Sequence, residues 1–195
     1  MNCLVKNDEY FIKYISYECE RIDKFKAIES KCKNDDQKQK CYTTISYLYK
    51  NIIYCMCSLN KQKNEFKKEL DGYYLYTEKI LDKLLESEKI DYLAIKYIFD
   101  NSSEANYENL IKQLNLMKDF KIYNELFKYA SSNNCENEIK VFMNEKWYDL
   151  CSDFSWYESH KNNNDTYVGY FSFVASAIIK HNKIDSKNIK YIIKF

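Results

Sequence analysis

Residues 41–59 read CYTTISYLYKNIIYCMCSL, and within them Cys41, Ile45, Leu48, Ile52, Cys55 and Leu59 recur at spacings of 4, 3, 4, 3 and 4. Only an α-helix carries positions at that spacing onto one stripe, and only burial makes such a stripe favourable. The stretch therefore predicts a long, central helix over about 36–59.

Similar stripes run outward to both ends. Upstream, residues 4–28 form a first helix opened by Asn7 or Asp8, with Phe11, Ile15, Cys19 and Ile22 on its inner face. Downstream, Asp71-Gly72 is the strongest turn signal, so a subdivision of the chain would fall near 71–76. Thr77 then caps a helix burying Ile80, Leu81, Leu84 and Leu85, and Ser87 caps one burying Ile90, Leu93, Ala94 and Ile98. Tyr107, Leu110, Ile111 and Leu114 share a face beyond a loop at 101–103, and Met117–Ala130 carries Phe120, Tyr123 and Phe127. Ile139, Met143, Trp147, Leu150, Phe154 and Tyr157 predict a second long helix over about 136–159. Tyr167, Phe171, Val174 and Ile178 mark a buried helix, and Asp185 or Ser186 caps a last short one carrying Ile189, Ile192 and Ile193.

The whole reads as one all-α domain over 1–195, an irregular bundle of about eight or nine helices without a repeat. A chain of 195 residues is long enough to bury a sizeable core. Of its apolar side chains 20 are Tyr, so many core edges must be polar-tipped.

The same sequence is poor in catalytic signals. It has two glycines, Gly72 and Gly169, and no proline, so no glycine-rich phosphate cradle can be assembled and no nucleotide cofactor is expected. Cys55 and Cys57 point about 200° apart on a helix, and no second pair or HExxH run completes a metal site. Cys151 and His160 would stand about 13.5 Å apart along a straight helix, too far for a nucleophile and its base. His181 is the only other histidine. The pairs Asp35-Asp36 and Asp149 with Asp153 read as caps and solvated faces. A non-enzyme without catalytic residues, metal or cofactor is the expectation.

The eight cysteines, with no export signal and no apolar run of membrane-spanning length, point to reduced thiols in the cytoplasm. Abundant Lys, Asn, Ile and Tyr with a single arginine, Arg21, indicate an AT-rich genome, as in an intracellular parasite, a large DNA virus or an AT-rich bacterium.

Thirty basic and 29 acidic residues almost cancel, so any charge-driven binding must be local. From Ser176 to the end, Lys180, Lys183, Lys187, Lys190 and Lys194 face Asp185 alone, a net +4, with Tyr191 and Phe195 interleaved. Lysines neutralise phosphates and aromatic faces stack on bases, so this basic, aromatic segment over 180–195 is the candidate RNA-binding surface. The function expected from it is docking on RNA within a ribonucleoprotein particle such as the ribosome. A second basic cluster spans Arg21 to Lys40, net +3. Trp147, Trp156 and Tyr157 could instead anchor a protein.

Two short stretches resemble known families. Lys40-Cys41-Tyr42 with Tyr47-Leu48-Tyr49 is similar to the cysteine-plus-YLY segment of malaria-parasite variant interspersed-repeat antigens. Asp91-Tyr92-Leu93-Ala94-Ile95-Lys96-Tyr97 is similar to a helix segment of poxvirus Bcl-2-like immune modulators. These resemblances imply the alternative function: a host-interaction protein holding a partner peptide in a helical groove, or a variant antigen.

Overall fold

The computed structural model describes residues 6–117, 119–132, 134–154, 157–161, 167 and 169–193. Among them the chain is all-α, with helices, turns and connections and no strand, as the stripes predicted. None of these helices is long and apolar enough to cross a membrane. Backbone contacts divide the chain into two compact units: one holds the described residues up to Leu84 and those of 160–169, the other those of 85–159 and 170–193.

In the first unit, α1 (Asp8–Glu29) starts where the Asn7 side chain accepts the Tyr10 N–H at 3.0 Å, with Asp8 and Glu9 favourably placed in its first turn. The next helix, α2 (Asp35–Ser58), is opened in the same way by Asn34, which accepts from the Gln37 N–H at 2.9 Å. Its stripe is buried from Cys41 to Cys55, with Tyr49, Ile53 and Cys57 buried beside it, because α1 and α3 (Lys67–Glu78) both pack against it. Each fully buried Leu or Ile contributes about 1.5–3 kcal/mol.

The face of α1 differs from expectation. Phe11, Tyr14, Glu18 and Ile22 are buried, while Ile15 and Cys19 are only half-buried. Glu18 is drawn inward because Arg21 Nη1 donates to its carboxylate at 2.8 Å and Asn51 Nδ2 at 3.3 Å.

Asp71 and Gly72 form no turn but lie inside α3, where the ring of Tyr49 fills the space beside Gly72. Thr77 caps nothing. It sits in the last turn of α3 with its Oγ1 2.6 Å from Ser46 Oγ, and it is followed by a short 3-10 turn, Leu81–Lys83. Leu85, expected to be buried, is 70% exposed. Near residue 167 the chain contributes to this unit again: the Tyr167 N–H donates to the Tyr10 hydroxyl at 3.0 Å, and the Tyr167 ring packs on Phe11.

The second unit contains α4 (Glu86–Phe99), α5 (Glu104–Leu116) and α6 (Lys121–Ala130), each packed on the next. The expected long helix over 136–159 is interrupted. It runs as α7 (Cys135–Val141), a π turn (Phe142–Lys146) and α8 (Trp147–Leu150), then tightens into i→i+3 turns at Cys151, Ser152 and Phe154. Ile139, Met143 and Trp147 explain the interruption. Two successive spacings of four drift off a straight α-helical stripe, and the wider i→i+5 turn returns all three to the core, where each is buried. The last α-helix, α9 (Phe173–His181), packs on α4 and α6 with every residue from Phe173 to Ile179 buried.

Candidate partner-binding site

No helix forms over 185–193. Ile189, Ile192 and Ile193 are buried, but on turns and bends that fold across the start of α9. Tyr191 has φ 56°, in the left-handed region that a continuing right-handed helix forbids, and its carbonyl accepts the Ser172 N–H at 2.8 Å. Ser172 also caps α9, accepting from the Ala175 N–H at 3.0 Å, and Ser176 Oγ accepts from the Ile193 N–H at 3.0 Å. On the other side, Asn144 in the π turn donates to the Asn188 carbonyl at 3.0 Å and accepts the Lys190 N–H at 2.9 Å. One carboxamide therefore clasps two backbone groups of the segment and fixes it to the π turn.

The residues expected to bind RNA are distributed accordingly. Lys180 Nζ donates to the Ile98 carbonyl at 2.6 Å, closing the end of α4. The Tyr191 ring stacks on Tyr148, with centroids 6.0 Å apart. Lys183 and Lys187 are exposed and Lys190 is half-buried. Lys194 and Phe195 lie outside the described residues, as does Trp156. In the Arg21–Lys40 cluster, Arg21 is engaged by Glu18, Lys26 donates to the Tyr49 hydroxyl at 2.9 Å and Lys40 pairs with Asp36 at 2.7 Å.

The groups with the residue types of catalysis have structural surroundings. His181 stacks on Tyr107, and its Nδ1 is 3.2 Å from the Tyr97 hydroxyl. Burial pushes the Cys55, Cys57 and Cys151 thiols far above their ordinary range and Cys135 from 9.0 up to about 11. A protonated thiol is a poor nucleophile. Among the described residues no group of three His, Cys, Asp or Glu side chains is placed to hold a metal ion.

The π turn has a second consequence, on its outer side. An i→i+5 turn brings residues five apart round to the same side, so Val141 and Lys146 both line a cleft of about 280 Å³ together with Tyr129, Asn137, Glu138 and the buried Phe142. The Tyr129 ring packs on Phe142 at 5.1 Å, and its hydroxyl donates to Glu125 at 2.6 Å. That hydrogen bond, with Lys128 beside it, holds the Glu125 carboxyl below its usual range. Burial, then the Glu125 carboxylate, pushes the Tyr129 hydroxyl up. The cleft thus combines a locked aromatic ring, an apolar side chain that is 45% exposed at Val141, and a rim with amide, carboxylate and ammonium groups. Such a surface can grip a partner through shape and hydrogen bonds. Periodicity alone did not point to it; the two spacings of four at Ile139, Met143 and Trp147 were the available signal.

A family model described as PoNe immunity proteins (PoNi), C-terminal, matches residues 90–193, just over half of the chain. The match runs from within α4 to the clasped segment and includes the whole cleft. Comparison with curated proteins and with solved structures gives no significant match.

Proposed function

Because the chain belongs to the family of PoNe immunity proteins (PoNi), we propose that it neutralises a cognate PoNe toxin by binding it, protein to protein, without catalysing a reaction. Family membership is the observation that carries this reading. It overturns the expectation that Lys180, Lys183, Lys187, Lys190, Tyr191, Lys194 and Phe195 dock on ribosomal or other RNA, because immunity acts on a toxin. The structural duties of Lys180 and Tyr191 agree with that correction. The alternative of a protein partner comes nearer, with a toxin in place of a host peptide.

The π-turn cleft is our candidate for the toxin contact. Supporting it are its position inside the matched region and a composition suited to an interface: an aromatic ring fixed in advance, an exposed apolar anchor at Val141 and a mixed polar rim. The cytoplasm is the proposed place of action.

Co-expression of the full chain with the PoNe toxin from the same source, in a bacterium the toxin kills, tests the function. Survival, co-purification and protection that saturates at one copy per toxin molecule are expected. Undiminished killing in the presence of folded protein, or protection by substoichiometric amounts, would refute a binding mechanism.

A further inference from the structure

The sulfur atoms of Cys32 and Cys41 stand 3.8 Å apart. Cys32 lies in the connection between α1 and α2, where its N–H donates to the Glu29 carbonyl at 3.0 Å and its thiol to the Ile28 carbonyl at 3.3 Å. On the far side of the connection, the Lys33 N–H donates to Gln37 Oε1 at 3.2 Å and Asn34 caps α2. Both ends of the connection are therefore tied, and they hold the half-buried Cys32 against the buried Cys41 on the inner stripe of α2.

We propose that Cys32 and Cys41 are a reversible disulfide site, closed by a peroxide and opened by a small thiol, that staples the end of α1 to α2. Cys32, the more accessible of the two, attacks the peroxide O–O bond, becoming a sulfenic acid as one water leaves. The Cys41 sulfur then attacks the Cys32 sulfur; the S–OH bond breaks and, with the Cys41 proton, departs as a second water. Two thiols lose two electrons and two protons, and one peroxide becomes two waters. The sulfurs must approach from 3.8 Å to about 2.05 Å, which gives up the hydrogen bond from the Cys32 thiol to the Ile28 carbonyl. Burial, with the Cys32 contact second, raises the Cys41 thiol, so Cys41 is not the sulfur that meets the peroxide first. Cys19, the other half-buried thiol among the described residues, is also pushed up by burial.

The experiment treats the full, folded chain with a small molar excess of hydrogen peroxide, digests it without reduction and maps the peptides by mass spectrometry. A Cys32–Cys41 cross-link, loss of two free thiols and their recovery with dithiothreitol are expected. At the same dose Cys32→Ser should lose no thiol, and Cys41→Ala should leave Cys32 as an unresolved sulfenic acid trapped by dimedone. Cys32 carried on to a sulfinic acid while Cys41 stays free in the unsubstituted chain, or Cys32 joined to another cysteine, would overturn the proposal. The readout contains no toxin, so its failure is separate from any failure of the immunity reading.

Discussion

The ring of Tyr49 occupies the space in which a side chain at residue 72 would begin: a Cβ on Gly72 would stand 2.7 Å from both Cε1 and Cε2 of that ring. Tyr49 is buried, and its hydroxyl accepts from Lys26, so the ring has little freedom to withdraw. Overpacking of this kind costs about 1–3 kcal/mol, against roughly 1 kcal/mol gained by Ala over Gly in a helix. Gly72→Ala should therefore destabilise the protein by up to about 2 kcal/mol in urea unfolding. In a Tyr49→Leu background the same change should become neutral or stabilising.

Glu18 is fully buried, and its charge is balanced by Arg21, whose side chain remains 34% exposed. Arg21→Met keeps the aliphatic stem but leaves a buried carboxylate without its cation. A loss of about 3 kcal/mol, the low end for breaking a buried pair, is expected in urea melts. Glu18→Gln with Arg21 intact should cost less.

Stability should decline in alkali. Burial raises Cys135 from 9.0 to about 11 and, with Glu29 second, Tyr76 from 10.0 to about 12. Between those values the unfolded chain has released protons that the folded chain still holds, so unfolding is increasingly favoured. The urea midpoint should be flat from pH 7 to 8 and fall steadily from about pH 9 to pH 12. A midpoint that rises over that window would contradict the assigned shifts.

Asn144→Ala removes both hydrogen bonds of the clasp at Asn188 and Lys190. A loss of about 1–2 kcal/mol should accompany faster amide exchange at Lys190, with α5 amides unchanged. Asn144→Asp can still accept from Lys190 but cannot donate to Asn188, and should fall between the two.

Val141→Asp and Lys146→Glu alter the cleft at exposed positions, so thermal stability should hold while toxin affinity drops at least about tenfold. Titration calorimetry against the toxin reads this directly. Unchanged affinity would move the contact elsewhere on the chain.

What could be read in the residues, and what could not, divides along a physical line. The α2 stripe and the Asn7 cap depend on neighbours a few residues away, so spacing alone revealed them. The turn expected at Asp71-Gly72 does not form because the ring that requires Gly72 comes from another helix, and Asp-Gly is locally indistinguishable from a turn. Glu18 lies outside the predicted inner face of Phe11, Ile15, Cys19 and Ile22, because its burial depends on Arg21 and on Asn51 from another helix. Lys180 resembled a phosphate ligand, yet its partner is a carbonyl 82 positions earlier in the chain. The π-turn cleft is the least legible, since it depends on one irregular turn and contains no motif that chemistry alone would recognise.

In α9 every residue from Phe173 to Ile179 is enclosed, so this helix behaves as an axle hidden from any visitor. An exchange of side chain there would first have to satisfy its own neighbours in volume. Exposed positions such as Val141 and Lys146 carry no such constraint, so a change of size that the outside tolerates is refused by the axle.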